Sequence, residues 1–320
     1  MYNWWSQIGL DKMTIDVDST VITRHGNQEG AKIGYNPSKK GHASHHPLMA
    51  FCSELNMVVD AWMRPGNTSD SNNMECFLDN ILTILTPQRV GILRADRGFY
   101  DHKIMHQLEH YKVPYIIKAK LSERLLSAIV GSSDWYSDSG REYTAIEYQG
   151  VDWDKSRRII AVRIPKIEKD KTSLTLFEDE KLRTVYEYAA YVTTSTLSAR
   201  EVQRCYDGRG DCENRIRELK YDYGIDGFAM QSIAATEAAF RLIMITYNIM
   251  ALFKQKVMLT VKGKYLSTVR FQCIAIGSYM VSSGRKRTMK LSAEGKRRHF
   301  LEQFFTNVEN LKPPFDFSNA

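Results

Sequence analysis

The sequence is poor in cysteine and proline, and its apolar residues never form a long uninterrupted run. Five cysteines and eight prolines occur among 320 residues, and no two cysteines have the CxxC spacing. This pattern argues against a disulfide framework or a zinc site and favours reduced thiols. The longest apolar stretch, Phe240 to Phe253, is broken by polar residues and falls short of the roughly 18 to 20 residues of a membrane span. We therefore expect no transmembrane helix.

The N-terminal residues also lack the features of a secretory leader. The opening MYNWWSQIGLDKM has neither a basic start nor an apolar block nor a small-residue cleavage site. This predicts a cytoplasmic protein with no membrane partner. The formal net charge is +7 and the isoelectric point is near 9.0, which favours a polyanionic partner, because lysine and arginine release counterions from phosphates.

Periodicity in the first part of the chain predicts strands followed by a helix. Residues Met13 to Ile22 alternate apolar and polar side chains, as a half-buried strand does, and place Asp16 and Asp18 on one face. Two more strands, Pro47 to Cys52 and Met57 to Met63, are predicted to form a hairpin. A helix from Thr68 to Leu85, with Ser and Asp as capping residues, follows them.

The remaining sequence alternates helices and strands and then changes character. An apolar strand from Val90 to Ala95 stops at Asp96. Strand-like runs between Glu142 and Thr194 indicate a β-rich insertion, after which helical periodicity returns. The other predicted elements are a helix from Asp101 to Tyr111, a strand from Val113 to Lys118, and helices at Leu121 to Val130, Ser198 to Lys220 and Ala234 to Phe253.

This order of elements predicts a mixed α/β fold, with helices on the faces of a central sheet. The 43% hydrophobic content is ample for its core. The predicted division has four parts: residues 1–130 begin the α/β domain, 131–196 form the β-rich insertion, 197–256 complete the α/β domain, and 257–320 form a helical, basic C-terminal region.

Four polar residues of the predicted helix Ser198 to Lys220 lie on one stripe. At 100° per residue, Tyr206, Arg209 and Lys220 fall within about 40° of Glu213 around the helix axis. The ordinary interpretation is an exposed row of salt bridges. Gly208 and Gly210 argue against it, since each costs a helix about 1 kcal/mol relative to alanine and is useful where another backbone or a ligand approaches the helix closely.

The spacing Y-DG-R-GDC-E-NRIREL-K resembles the Tyr-Arg-Glu-Lys signature of DDE transposases in the insertion-sequence-four-like superfamily. The segments DVDST and ILRADRGFYD resemble the two aspartate motifs of that family. Further segments, HGNQEGAKIGYNPSKKG, HHPL, WMRPGNTSD and ENRIRELKYDYGIDGF, resemble the branch numbered thirteen-eighty. The resemblance spans about Thr14 to Phe253.

The resemblance implies an RNase H-like fold, with Asp18, Asp96 and Glu213 as catalytic and metal-binding residues and a β insertion at about Val130 to Ser195. Two Mg²⁺ ions, for which Mn²⁺ substitutes, would be held by these carboxylates. Tyr206, Arg209 and Lys220 would bind DNA phosphates. The implied activity is metal-dependent strand cleavage at transposon ends and strand transfer into target DNA, with double-stranded terminal inverted repeats and target DNA as partners of a homodimer.

Several residues compete for these roles. Asp16 is a rival for the first acid, and Asp101 rivals Asp96, although Asp101 is better interpreted as an N-cap. His45 and His46 are adjacent in a predicted strand, so they point to opposite faces and favour structural or DNA-facing roles over a shared metal. Trp153 either packs in the insertion or stacks on an extruded base.

Other features leave alternatives open. Arg64 could line the site or hold a turn, and the basic clusters at 285–287 and 296–298 could bind DNA phosphates or be solvated. Since the first catalytic strand begins near Thr14, an N-terminal end-recognition region is expected to be missing. Two other functions are therefore weighed: an RNase H-like nuclease without joining activity, and a truncated DNA-binding remnant.

Overall fold

The fold is a nine-stranded mixed sheet with helices on both faces, as seen in a computed structural model that describes residue 5 and residues 8–169, 182–228, 230–258 and 265–310. The strands are β1 (Met13–Ser19), β2 (Ile22–Thr23), β3 (Lys32–Ile33), β4 (Ala43–His45), β5 (Leu48–Cys52), β6 (Met57–Trp62), β7 (Val90–Ala95), β8 (Tyr115–Lys118), β9 (Tyr136–Asp138), β10 (Arg141–Tyr148), β11 (Arg157–Lys169), β12 (Leu182–Thr193), β13 (Ser278–Ser283) and β14 (Lys286–Leu291). The helices are α1 (Met74–Leu85), α2 (His102–His110), α3 (Glu123–Val130), α4 (Ala199–Asp207), α5 (Gly210–Tyr221), α6 (Ile233–Lys256), α7 (Leu266–Val269) and α8 (Gly295–Glu309).

The sheet brings the ends of β1 and β7 together. Its order is β6-β5-β1-β7-β8-β12-β11-β10-β9. Strands β1, β7 and β8 run parallel to one another, whereas β5 runs antiparallel to β1. Because parallel neighbours end at the same edge, Asp18 near the end of β1 and Asp96 directly after β7 lie at one edge of the sheet. This edge carries the candidate site.

The strands between residues 136 and 193 extend this same sheet. Strand β12 pairs antiparallel with β8, with Val192 opposite Ile117, and β11, β10 and β9 follow as a meander. The β-rich character predicted for this region is confirmed, and its strands are hydrogen-bonded directly to the parallel strands.

Both faces of the sheet are covered by helices. Helices α1, α2 and α3 pack apolar side chains such as Phe77 and Leu108 against one face. On the opposite face, α5 and α6 pack on β5 and β6, and α4 packs on β10 and β11. The predicted fold class, a mixed sheet flanked by helices, is therefore confirmed.

Helix α6 is the one helix among the described residues that is long and apolar enough, by length and composition alone, to span a membrane. In the structure, one of its faces buries Phe240, Met244 and Tyr247 against the sheet. The Asn248 amide donates to the Val58 carbonyl and accepts from the Val58 N–H, at 2.7 Å each. This pair of hydrogen bonds satisfies backbone groups on β6, which is one of the two edge strands of the sheet.

The C-terminal region contains more than helices. Helix α8 packs Phe300 and Phe304 against a small cluster that contains Val257 and Val269. Between α7 and α8, strands β13 and β14 form a separate two-stranded hairpin. The prediction of a helical region was thus incomplete, because residues 278–291 are extended.

Candidate active site

Asp18 lies at the centre of the site, near the end of β1. Its Oδ1 accepts a hydrogen bond from the Ser19 N–H at 2.9 Å and pairs with Arg209 Nη2 at 3.0 Å. Burial raises the pKa of Asp18 to about 6, and the negative charges of Asp96 and Glu213 add to this rise, while Arg209 opposes it. The carboxylate is therefore held where a further cation would stabilise its charge.

Asp96 stands directly after β7, as the sequence predicted. Its side chain accepts a hydrogen bond from the Gly98 N–H at 2.8 Å and caps the short 3₁₀ helix Arg97–Phe99. This cap fixes the start of the loop that leaves the sheet. Its rival, Asp101, accepts from the Lys103 N–H at 2.9 Å and is the N-cap of α2, which confirms the capping interpretation.

Glu213 lies in the first turn of α5 and is two-thirds exposed. The predicted continuous helix from Ser198 to Lys220 was wrong, because α4 ends at Asp207 and α5 begins at Gly210. The N–H of Cys212 reaches back three residues to the Arg209 carbonyl, at 2.8 Å, which is the tighter 3₁₀ spacing. The stripe calculated for an ideal helix is therefore interrupted between Tyr206 and Glu213.

The two glycines at this break differ in their surroundings. A Cβ added to Gly208 would lie 2.8 Å from Arg94 Nη1, so the side chain of Arg94 approaches the backbone closely there. A Cβ added to Gly210 would meet nothing within 4 Å. At Gly208 the group that approaches closely is thus a side chain and not another backbone, and at Gly210 no described residue approaches.

Arg209 bridges two of the three acids. Besides Asp18, its guanidinium pairs with Glu213 at 3.8 Å, and it donates to the Val17 carbonyl at 3.4 Å. Burial disfavours its charge, but Asp18 and several other neighbours, among them Tyr206 and Asp96, together outweigh burial and raise the pKa of Arg209 above its usual value. The residue is only 5% exposed, so in this conformation it neutralises acids inside the protein.

Tyr206 and Lys220 flank the acids. The Tyr206 ring lies 4.7 Å from the ring of Tyr191, and burial raises the pKa of its phenol to about 12. Lys220 Nζ donates to the Val21 carbonyl at 3.1 Å, and burial lowers its pKa. Both residues are half-buried at the border of the site.

The residues fit a divalent cation by chemistry, although their side chains are not gathered into a metal-ligand group. Carboxylate oxygens are the ligands that Mg²⁺ and Mn²⁺ prefer. Within the described ranges, no three His, Cys, Asp or Glu side chains lie close enough together to hold a metal ion. Arg209 instead supplies the positive charge that links Asp18 to Glu213.

Asp16 is unavailable as an alternative first acid. Its carboxylate is fully buried and accepts from Arg94 Nε at 2.6 Å and from Arg94 Nη2 at 2.8 Å, while Arg215 Nη1 lies 3.5 Å away. Two arginines therefore already neutralise Asp16. Asp16 faces Arg215 within α5, and Asp18 faces Arg209 directly before α5. The prediction that Asp16 and Asp18 share one face agrees with this geometry.

Sequence reasoning missed one acid at the site, Asp70. The Ser19 hydroxyl donates to Asp70 Oδ1 at 2.5 Å, and His46 Nε2 lies 3.3 Å from the same oxygen. A Cβ on Gly98 would lie 2.2 Å from Asp70 Oδ2, so this carboxylate also packs against the loop that follows Asp96. Asp70 thus joins the two segments that carry Asp18 and Asp96.

The sequence signal at Asp70 was interpreted differently. The Ser and Asp residues before α1 were predicted to cap that helix, but its N-cap is Asn73, in a left-handed conformation and without a side-chain cap. The hydrogen bond from His46 is the main reason why the pKa of Asp70 is lowered. Apart from this Ser-Asp-Ser run before a helix, no spacing in the sequence links Asp70 to Ser19.

The remaining candidates have structural contacts. Arg64 is buried and donates to the carbonyls of His46, Ser69, Asp70 and Asn72, so it holds the loop that carries Asp70.

His45 is buried and accepts a hydrogen bond from Arg24 Nε at 3.0 Å, so its role is structural. His46 contacts the carboxylate of Asp70, as described above. Trp153 packs edge-on against Tyr100 and Tyr148, as the packing interpretation predicted.

Comparison with known proteins places this arrangement in a family. A solved structure, titled as the piggyBac transposase synaptic complex with hairpin DNA, is similar with a TM-score of 0.47 and 10% identity, over 96% of this chain and 56% of that chain. The chain therefore spans about half the length of that transposase. No curated protein matches the sequence. The family described as transposase DDE domain, group 1, matches residues 6–313, and the chain belongs to this family.

Proposed function

We propose that this chain is the catalytic part of a DNA transposase, which cleaves phosphodiester bonds at transposon ends and transfers the cut strand into target DNA. The observation that carries the proposal is the position of Asp18 and Asp96 at one sheet edge, with Glu213 joined to Asp18 through Arg209, whose guanidinium lies 3.0 Å from Asp18 and 3.8 Å from Glu213. Membership in the DDE transposase family supports it.

The three acids are proposed to hold divalent metal, as is general for DDE domains, here two Mg²⁺ ions for which Mn²⁺ substitutes. Such ions would stabilise the attacking and leaving oxygens of the phosphodiester. The Ser19 N–H and the Gly98 N–H orient Asp18 and Asp96, so both carboxylates are held before DNA arrives. Glu213 is the most exposed of the three and is free to adjust from its helix.

Three neighbouring residues are proposed to act on DNA phosphates. Without metal or DNA, Arg209 forms ion pairs with Asp18 and Glu213. A bound metal ion would replace Arg209 as the partner of these acids, and the Arg209 guanidinium could then bind a phosphate. Lys220 and Tyr206 border the acids and offer an ammonium and a hydroxyl for hydrogen bonds to phosphate oxygens.

The finer assignments follow the sequence resemblance. The protein is proposed to belong to the branch numbered thirteen-eighty, to recognise double-stranded terminal inverted repeats, and to act as a homodimer on two DNA ends in the bacterial cytoplasm at the nucleoid. The signature Y-DG-R-GDC-E-NRIREL-K supports the superfamily and its substrate, and the segments HGNQEGAKIGYNPSKKG, HHPL, WMRPGNTSD and ENRIRELKYDYGIDGF support the branch.

The test is DNA cleavage by matched neutral variants. Purified protein with Mg²⁺ or Mn²⁺ is expected to nick duplexes that carry the inverted repeats flanking its own gene. Asp18→Asn, Asp96→Asn and Glu213→Gln should each lower the cleavage rate by at least about 10³-fold, because each removes a charged ligand needed to stabilise the transition state. Binding of the same duplexes, measured by fluorescence anisotropy, should persist.

The control is Asp101→Asn, which removes a nearby carboxylate that caps α2 and should keep cleavage. Retained cleavage by any of the three site variants contradicts the role of that residue. A second assay offers pre-cut ends with a supercoiled target: joined products are expected from a transposase, and cleavage without joining would instead identify a nuclease.

A further inference from the structure

Strands β13 and β14 form a hairpin with a defined register. Tyr279 pairs with Lys290, Met280 with Met289, and Ser283 with Lys286, which leaves Gly284 and residue 285 as a two-residue turn. Gly284 has a φ of 58°, as the first position of such a tight hairpin turn requires. The two strands therefore form a regular six-pair ribbon.

The hairpin is exposed on both of its faces. Every residue of β13 and all but Leu291 of β14 are exposed. Directly paired residues share a face, so Met280 and Met289, at 57% and 60% exposure, form an apolar pair on one side, and Tyr279 lies on the other, 61% exposed. A two-stranded hairpin is at best marginally stable alone in water, and these exposed apolar side chains indicate a surface that another molecule covers.

The base of the hairpin is fixed to the rest of the C-terminal region. The Ser292 N–H donates to the Gly277 carbonyl at 2.8 Å, which closes the ribbon at its base. Arg297, in the first turn of α8, donates to the carbonyls of Phe271 and Ala275 at 3.1 Å each. The ribbon thus extends from an anchored base, and its turn lies at the far end.

The charge of the hairpin has one sign. Residues 278–291 contain Arg285, Lys286, Arg287 and Lys290 and no Asp or Glu. Three of these cations are consecutive and lie at the turn and the start of β14, and none of the four belongs to an ion pair found among the described residues. A tip with this charge density favours a polyanion over the neutral or mixed surface of a protein partner.

We propose that this hairpin is a DNA-binding arm that enters a groove of duplex DNA, with residues 285–287 on the phosphates and the Met280 and Met289 pair toward the groove. A two-stranded ribbon has the width that the major groove admits, and the arm's cations can reach the phosphates that border it. The inference rests on the proposed function for the identity of the polyanion, and it assigns DNA binding to a region outside the three acids.

The test removes the charge and keeps side-chain length. The variant Arg285→Gln, Lys286→Gln, Arg287→Gln is compared with the control Lys12→Gln, Lys112→Gln, Lys155→Gln. This control removes three exposed cations that precede β1, β8 and β11, at the sheet edge opposite the acids. Binding to a fluorescent 30-base-pair duplex is measured by anisotropy across a salt series. The slope of log K against log salt should fall in magnitude by about 2 to 3 for the arm variant, since each phosphate contact contributes about 0.9.

At low salt the arm variant should bind at least about tenfold more weakly than wild type, with the control close to wild type. An unchanged slope and affinity would overturn the proposal. An unchanged affinity together with a loss of dimer, seen by sedimentation for the Met280→Ser, Met289→Ser variant, would also overturn it in favour of a second copy of the chain. Binding is scored without metal, so an absence of cleavage would count against the proposed function and not against the arm.

Discussion

At the residue scale, Asp16 and Asp18 show how two identical side chains on one strand face acquire different roles. Asp16 is enclosed by Arg94 and Arg215, so its charge is compensated inside the protein. Asp18 has one arginine and two acidic neighbours, so burial and repulsion together raise its pKa to about 6. The strand period predicted their common face, but only the positions of distant arginines distinguish the two acids.

Asp70 leads to a prediction about positioning. Asp70→Asn keeps the shape of the side chain but removes the charge that holds Ser19 and His46, and it loosens the contact with Gly98. We expect the cleavage rate to fall about 10- to 100-fold and the Mg²⁺ concentration for half-maximal rate to rise, because groups that orient metal ligands usually have effects of this size. DNA affinity should stay within about twofold, since Asp70 carries no positive charge toward phosphates.

The matched control for this variant is Asp79→Asn. Asp79 lies on α1 and accepts hydrogen bonds from Gln107 and Tyr111, so the same chemical change is made away from the acids. It should alter neither rate nor metal dependence. If Asp70→Asn changes thermal stability alone and leaves the metal dependence as in wild type, Asp70 has only a structural role.

The residue scale is also where sequence reasoning was least complete. Glu213, Asp96 and Asp18 were predicted from spacing and resemblance, and in the structure Asp18 and Asp96 lie at one sheet edge while Glu213 pairs with Arg209 beside Asp18. Asp70 was not identified, because its partners Ser19 and Gly98 are 51 and 28 residues away along the chain. Contacts of this kind depend on the tertiary fold, which no local period encodes.

At the element scale, the break between α4 and α5 explains why Gly208 is present. The helix periodicity on both sides predicted one helix, and the dihedral angles at Gly208 and Arg209 are indeed helical. The approach of Arg94, which also donates to the Cys205 carbonyl, occupies the space where a Cβ at position 208 would stand. The break between the two helices thus lies against Arg94, which is held by the buried Asp16. The sequence pattern does not reveal this contact.

The two glycines give opposite predictions. Gly208→Ala should lower the free energy of unfolding by about 1 to 3 kcal/mol, because Arg94 must move away from Asp16 and Cys205 to admit the methyl group. Gly210→Ala should raise it by about 0.4 to 1 kcal/mol, because its space is open and its backbone lies in a helix. Urea denaturation of both variants measures the difference, and equal effects of the two substitutions would contradict this account of the break.

Strands were predicted from the sequence where their apolar side chains are buried. Strands β1, β5, β6 and β7 were recognised because their apolar side chains are buried in a regular pattern. The hairpin of β13 and β14 was missed since its side chains are exposed on both faces, and its sequence therefore has no alternation between apolar and polar residues.

At the scale of the whole molecule, the main feature that sequence reasoning could not provide is the continuity of the sheet. The strand runs between residues 142 and 194 were recognised, but their pairing partner was not. Strand β12 pairs with β8, which lies about 75 residues earlier in the chain. The periodicity of each strand does not reveal a partner at such a distance in sequence. The resulting sheet unites the strands that bear the acids with those that follow them.

The Glu109 network reinforces the same junction. Glu109, at the end of α2, accepts hydrogen bonds from Arg157 Nε at 2.8 Å and Tyr115 Oη at 2.8 Å, and pairs with Lys155 at 3.0 Å. Arg157 begins β11 and is nearly fully buried, whereas Tyr115 begins β8. Burial disfavours the Glu109 charge, but the hydrogen bonds from Arg157 and its other partners outweigh it and lower the pKa of Glu109 below its usual value.

Glu109→Gln should therefore destabilise the whole sheet in a single transition. Loss of the carboxylate leaves the buried Arg157 without its main partner, and we expect the free energy of unfolding at pH 7 to fall by about 3 kcal/mol.

Since the folded-state pKa of Glu109 is lowered, the contribution of Glu109 to stability is fully present above its unfolded-state pKa near 4.5 and is lost as the pH falls through the folded-state pKa. The difference between variant and wild type should accordingly shrink in acid, and Glu147→Gln, at an exposed position on β10, should show no such difference. Two separate unfolding transitions, or a difference that stays constant down to low pH, would show that the Glu109 network does not couple the two halves of the sheet.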